Sequence, residues 1–160
     1  SFFYYMTEKI NVKEEYQKYN KYNLPNYEKL NEAFELYVIE KADFFLHNIR
    51  RRMHERLAFF ARILEGVIYP NPSSLVNMQE AKFFNEEEMK KMTALYKKIV
   101  IWERKSHGLD VRSDEKENAH YINLLFQEWP SIQDSMLHIL QKIENSWKNE
   151  EKSSEESYFG

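Results

Sequence analysis

The chain has 160 residues, with 23 lysines and arginines against 26 aspartates and glutamates and a formal net charge of −3. It has no cysteine and only 3 glycines. These counts exclude a disulfide framework, a cysteine-ligated metal centre, a thiol nucleophile and a glycine-rich phosphate cradle, and the balanced charge provides no global pull toward nucleic acid.

The first residues carry an aromatic cluster, Phe2, Phe3, Tyr4 and Tyr5. It is too short for a signal-peptide core, no basic residue precedes it, and the first arginine in the chain is Arg50, so neither a secretory leader nor an arginine-rich presequence is expected. The longest apolar runs, such as Leu57–Ala61, fall far short of the roughly 20 residues that cross a bilayer. The expectation is an intracellular protein without a membrane span, in the cytoplasm or in an organelle entered without a cleavable presequence.

Residues 7–22 are predicted to form a short helix capped by Thr7, with Val12, Tyr16 and Tyr19 at helical spacing. Asn23-Leu24-Pro25-Asn26 breaks it, and Pro25 is expected in the first turn of the next helix, where its missing N–H costs nothing. Residues 1–24 therefore read as an N-terminal arm or short helix.

From Tyr27 to Ile68 the apolar positions recur at three- and four-residue steps: Leu30, Phe34 and Tyr37, then Leu46, Ile49, Met53, Leu57, Phe60, Leu64 and Val67. A single helix of about 40 residues would be roughly 60 Å long, more than a small domain is wide. Phe44, Phe45 and Phe59 widen its apolar stripe. Glu28, Glu32, Glu35, Glu40 and Asp43 lie early in it, while Arg50, Arg51, Arg52, Arg56 and Arg62 lie late, in the sense that complements a helix dipole.

Gly66 and Tyr69-Pro70-Asn71-Pro72 end this helix, and a short helical turn is expected near Asn77–Lys82. Asn85 and Glu88 have the spacing of a capping box, with Phe84 and Met89 as a hydrophobic staple. The helix they start carries Met89, Met92, Leu95 or Tyr96, Ile99 and Trp102, and Gly108 is expected to close it after Arg104, Lys105 and His107. Asp114 and Glu117 repeat the capping-box spacing at the start of a third long pattern. Its stripe is Tyr121, Leu124, Leu125, Ile132, Met136, Ile139, Leu140, Ile143 and Trp147. Trp129-Pro130 should kink or split it. Residues 148–160 have the polar, charged composition of a disordered tail.

Two short likenesses are visible. His54-Glu55-Arg56-Leu57 followed by Ile63-Leu64 resembles the first helix of the small three-helix accessory subunit of mitochondrial complex I. The helical pattern of residues 35–100 resembles the helical domain of GINS replication subunits, without the small β domain expected after it. Neither extends far enough to carry a residue role across.

The predicted fold is all-α: a bundle of three or four long antiparallel helices over residues 25–147, with an N-terminal aromatic arm and a charged tail over residues 148–160. Chemistry-bearing residues are few. Glu40, Asp43 and His47 lie along one helix face, Glu117 and His120 form a Glu-x-x-His step, and Asp134 and His138 lie four apart. Dimetal carboxylate bundles use two Glu-x-x-His steps, and this chain has one. A metal-dependent helical bundle is therefore an alternative, and no metal or cofactor is expected. Arg50, Arg51, Arg52, His54, Arg56 and Arg62 make a locally basic stretch, from which a nucleic-acid-associated helical protein is the other alternative. Successive helical residues are about 100° apart, so the three neighbouring arginines cannot face one ligand, and nucleic acid is not expected as a partner. There is no Gly-x-Ser-x-Gly elbow, and neither a catalytic group nor a small-molecule substrate is expected. The expected function is that of a non-catalytic structural or accessory subunit of a larger protein assembly. Its partner-binding residues would be Phe2, Phe3, Tyr4, Tyr5, Tyr158 and Phe159 as aromatic anchors, with Arg50, Arg51 and Arg52 reaching carboxylates of neighbouring subunits.

Overall fold

Helical periodicity places most of the elements, and local backbone breaks and tertiary contacts decide where they end. In the computed structural model, which describes residues 9–159 and the side chains of residues 9–156, the regular elements are all helical. They are α1 (Val12–Gln17), α2 (Tyr27–Phe34), α3 (Phe45–Ile68), α4 (Leu75–Ala81), α5 (Glu86–Val111) and α6 (Glu115–Phe159), with 3-10 turns at Asn20–Tyr22 and Leu36–Val38. No strand occurs among the described residues, in agreement with the all-α expectation. The chain divides into two compact units. One comprises the residues up to Ala58 with Trp102–Gln127, the other Phe59–Ile101 with the chain from Glu128 onward. Helices α3, α5 and α6 each give one stretch to each unit.

In the first unit, α1 is capped by Asn11, whose side chain accepts from the Glu14 N–H at 3.1 Å. The expected cap, Thr7, lies outside the described residues, and the helix stops at Gln17 instead of reaching residue 22. Pro25 stands before the α2 cap, Asn26, and not inside the helix. Val12 and Tyr16 are buried, and the Tyr16 hydroxyl donates to the Pro25 carbonyl at 2.6 Å, which ties α1 to the start of α2.

The single helix expected from Tyr27 to Ile68 does not form. Glu35 adopts a left-handed conformation (φ 54°) and closes α2, its N–H bonding the Asn31 carbonyl at 2.7 Å. The Asn31 side chain then accepts from the Tyr37 N–H at 2.9 Å, and Arg52 Nε donates to the freed Phe34 carbonyl at 3.1 Å. The break changes which residues reach the core. Tyr37, on the predicted stripe, is 53% exposed, whereas Leu36 and Ile39, off the stripe, are 0% and 6% exposed. Burying these two side chains contributes about 1.5–3 kcal/mol each, which exceeds the roughly 1–2 kcal/mol cost of one left-handed residue. Helix α3 starts after a second such residue, Phe44 (φ 53°), and from there the predicted stripe holds. Leu46, Ile49, Met53 and Leu57 are all buried. Trp102 of α5 and Tyr121, Ile122 and Leu125 of α6 complete this core.

Gly108 does not close α5, which runs on to Val111. Gly108 does not have a positive φ, and the Arg112 N–H bonds the Gly108 carbonyl at 3.0 Å. Ser106 and Asp110, either side of the glycine, are both held by Arg50, so tertiary bonds carry the helix past its weakest residue.

In the second unit, α3 contributes Phe60, Leu64 and Val67, α5 contributes Met92 and Ile99, and α6 contributes Trp129, Ile132, Met136, Ile139 and Ile143. The predicted capping box is present in full: the Glu88 N–H bonds Asn85 Oδ1 at 2.8 Å and the Asn85 N–H bonds Glu88 Oε1 at 3.0 Å. Pro130 does not split α6, which continues through it. A helix-interior proline costs about 3 kcal/mol. Trp129 beside it stacks on Phe60 with ring centroids 5.3 Å apart, and both Trp129 and Ile132 are buried. Burial of a large aromatic is worth about 3–5 kcal/mol on truncation, enough to offset the proline. The segment read as a disordered tail is the last part of α6, and its side chains from Lys148 to Glu156 are exposed.

Candidate functional site

Among the departures from the rule that apolar groups go in and polar groups stay out, two are gathered in one place each. One is a buried arginine in the first unit. The other is a helix with exposed apolar side chains in the second.

Arg50 lies on the apolar stripe of α3, four residues after Leu46 and three before Met53, and it is 0% exposed. A buried guanidinium is tolerable only if its charge and donors are matched. It has five N–H donors, and each meets an acceptor. Nε donates to Asn118 Oδ1 at 2.6 Å. Nη1 donates to the Ser106 carbonyl at 2.9 Å and to the Ser106 hydroxyl. Nη2 donates to Asp110 Oδ1 at 2.6 Å and meets His47 Nδ1 at 2.9 Å. Ser106 and Asn118 are themselves buried, and Asn118 passes the network on to the Asp114 carbonyl at 2.8 Å and the Ser113 hydroxyl at 3.3 Å.

Protonation states follow from the donors. Because Arg50 can only donate, His47 Nδ1 must accept, which places the ring proton on Nε2, 3.6 Å from Asp110 Oδ1. Burial, then the charges of Arg50 and Arg51, lower the His47 pKa, and Asp110 only partly opposes them. For Asp110, burial works in the other direction, but the Arg50 hydrogen bond and the charges of Arg50, Arg51 and His47 outweigh it and hold the carboxyl below its ordinary range. About two helical turns on from His47, His54 Nε2 lies 3.7 Å from Glu103 Oε2, and its ring lies 5.0 Å from that of His107. His54 Nδ1 is buried with no partner, and burial is the chief cause of its lowered pKa.

Ser113, His47 and Asp110 are the residue types of a nucleophilic triad, and they stand in series. The Ser113 hydroxyl is 3.4 Å from His47 Nδ1. That lone pair is already engaged by Arg50 at 2.9 Å, so it cannot take up the serine proton. The three residues close a structural node and do not form an activated nucleophile.

The other predicted site residues are scattered. Phe2, Phe3, Tyr4 and Tyr5 lie outside the described residues, as do the side chains of Tyr158 and Phe159. Of the three arginines, Arg50 is interior and has no donor left for a partner. Arg51 has a side chain 59% exposed with Nε 3.5 Å from Asp110. Arg52 is bonded to the Phe34 carbonyl, Glu35 and Glu55. The carboxylate–histidine pairs do not converge. His47 faces the Arg50 node, Glu117 and His120 line a shallow depression with Trp102 and Lys105 in the first unit, and Asp134 and His138 line a groove with Phe84 and Met92 in the second. Among the described residues no group of three or more histidines, aspartates or glutamates is placed to hold a metal ion, and no helix is long and apolar enough to cross a membrane.

The second departure is α4. Ser74 caps it by accepting from the Asn77 N–H at 3.1 Å. Two of its polar residues reach the rest of the unit. The Asn77 side chain packs so close to Gly66 of α3 that a Cβ there would lie 3.3 Å from its Nδ2, and Glu80 accepts from Trp147 Nε1 of α6 at 2.8 Å. Asn77 and Glu80, three apart, share one face. Its large apolar residues are exposed, Leu75 at 88%, Val76 at 54% and Met78 at 40%, and no α4 residue is buried. Helical spacing predicts a turn near Asn77–Lys82, close to where α4 lies, but does not by itself predict this inversion. The signal was available, because Asn77 and Glu80 have the spacing of an inward face and Leu75-Val76 does not.

Compared with known protein families, curated proteins and solved structures, the chain matches none.

Proposed function

We propose that this protein is a non-catalytic component of a multiprotein assembly and that α4 is its principal contact with a neighbour. The observation that carries this reading is the inverted polarity of α4. A short helix that spends its polar side chains on its own domain and leaves Leu75, Val76 and Met78 in water gains nothing from that arrangement alone, and contiguous exposed apolar side chains are typical of protein-binding surfaces. The pairing of residues within each unit is also what an antiparallel arrangement of long helices would give. In the first unit His47, Arg50 and His54 meet Asp110, Ser106 and Glu103 in descending order. In the second, Glu88 meets Lys142 and Lys98 meets Glu128. The single helix expected over residues 27–68 is split into α2 and α3, so the reading rests on α4 and on Arg51 as an exposed cation.

The test is purification of the tagged full chain from its native source at moderate salt, beside the double variant Leu75→Glu/Val76→Glu. The expected result is a stoichiometric protein partner with the wild type that the variant loses while remaining folded by circular dichroism. A wild-type chain that emerges alone, or a partner retained equally by the variant, would overturn the proposal.

A further inference from the structure

The Arg50 node has a property independent of any partner. Its geometry requires one histidine to be neutral. We propose that the node is an acid-sensitive lock, in which His47 in its neutral form holds α3 to α5 and the start of α6 through Arg50, and protonation of His47 releases them.

Arg50 presents two N–H groups on Nη2, one to Asp110 and one to His47 Nδ1. A proton on Nδ1 would turn that acceptor into a donor facing a donor, 2.9 Å away. The groups around it cannot absorb the added charge. From α3, Arg50 and Arg51 are both cationic. From α5, Asp110 is the one carboxylate within ion-pair reach of His47, and it already serves Arg50 at 2.6 Å and Arg51 at 3.5 Å. The connection to α6 offers only the Ser113 hydroxyl, and the Phe44 ring meets His47 edge-on with centroids 6.4 Å apart. Protonated His47 would make three cations around one carboxylate. Further along the same seam, Glu103 and His107 face His54, whose Nδ1 would become a buried unpaired donor if protonated.

The sign follows from the direction of the shift. His47 has a folded-state pKa below its ordinary value of 6.5, so the unfolded chain takes up its proton first as pH falls. Stability conferred by the neutral ring is fully present above about 6.5 and is lost as pH drops through the unfolded value toward the folded one. The lock is closed at neutral pH and opens in mildly acid surroundings.

The experiment is hydrogen exchange on the full chain across the range from about pH 8 to pH 5, with rates corrected for the intrinsic effect of pH. It compares wild type, His47→Asn and, as a control in the other unit, His138→Asn. An asparagine Oδ1 can occupy the place of Nδ1 and accept from Arg50 without ever taking a proton. The expected outcome is an acid-induced loss of protection in residues 45–50 and 110–118, the stretches around His47, that His47→Asn removes there and His138→Asn leaves intact. Equal protection at both ends of the range in wild type would overturn the proposal, and so would an acid-induced loss that survives in His47→Asn. Should His47→Asn fail to fold, nitrogen NMR of wild-type His47 decides. A neutral ring protonated at Nε2 at pH 7 supports the lock, and a ring protonated at Nδ1, or charged there, refutes it.

Discussion

In the first unit the fully or nearly buried side chains include Arg50, Ser106 and Asn118, whereas in the second unit all the buried side chains among the described residues are apolar. Helices α3, α5 and α6 supply residues to both cores, with α1 and α2 adding Val12, Tyr16, Leu30 and Phe34 to the first, and along the shared helices the difference is one of chemistry. Directional bonds join the helices of the first unit at one register. Moving α3 by one turn against α5 would leave a buried guanidinium without acceptors, a penalty of several kcal/mol. The second core is held by shape and by the Phe60–Trp129 stack, which respond to volume and hardly to pH. A buried ion pair is weak support for stability in itself, and its use here is to fix which residues meet.

The widest gap between the two cores should appear when one member of the polar set is removed. Arg50→Ala leaves Asp110, Asn118 and Ser106 without their shared donor and opens a cavity as well. The expected loss is about 3–5 kcal/mol in urea unfolding. A loss under about 1 kcal/mol, the level of an exposed ion pair, would mean that the node is wet and the contrast between the cores unfounded. The matching change in the second unit is Leu64→Ala, at a residue 0% exposed. It should cost about 3 kcal/mol and, because no polar group is stranded, by the same amount at pH 8 and pH 5. A pH-dependent loss there would show that the apolar core is coupled to titrating groups.

The contrast also separates what could be read in the sequence from what could not. Apolar periodicity located most of the core of both units. Leu46, Ile49, Met53, Leu57, Leu64, Met92, Ile99, Leu125, Ile132 and Met136 are buried where the pattern places them. Periodicity failed where a local backbone choice competed with it. A helical pattern runs unbroken through residues 35–44, and only the gain from burying Leu36 and Ile39 reveals why two left-handed residues interrupt it. Pro130 and Gly108 are strong local signals that tertiary contacts overrule, through Trp129 in one case and Arg50 in the other. The Arg50 node was half legible. Of three consecutive arginines only one can fall on the stripe, and Arg50 is the one in step with Leu46, Met53 and Leu57. Its partners Ser106, Asp110 and Asn118 are distant in sequence and of ordinary type, so nothing short of the packed helices brings them together.

A smaller effect is expected at the start of α5, where the second unit relies on directional bonds made within three residues, unlike the long-range bonds of the first unit's node. Asn85→Ala removes the acceptor of the Glu88 N–H and should cost about 1 kcal/mol. Glu88→Gln keeps the return bond to the Asn85 N–H while discarding the charge that faces Lys142, and should cost less than the cap itself. If Glu88→Gln proved the more damaging, the ion pair with Lys142 rather than the capping box would be what anchors this end of the helix. Thermal unfolding of the two variants side by side reads the order directly.

The smallest change tests whether the first unit carries strain beside its node. Phe44 has a φ of 53° with its side chain 77% exposed, a conformation that suits glycine or asparagine and disfavours a bulky residue. It bonds through its carbonyl to the Asn48 N–H at 2.9 Å, a backbone role that any residue could fill, and its ring touches the node only by the edge contact with His47. Phe44→Asn keeps the backbone bond, relieves the left-handed strain and offers a capping side chain to α3. The expected result is a gain of about 0.5–1 kcal/mol in unfolding free energy. A loss of stability would show that the ring shields the His47–Asp110–Arg50 cluster from water. In that case the variant should also flatten the acid dependence of the first unit, because a more open His47 has a folded-state pKa closer to its ordinary value of 6.5.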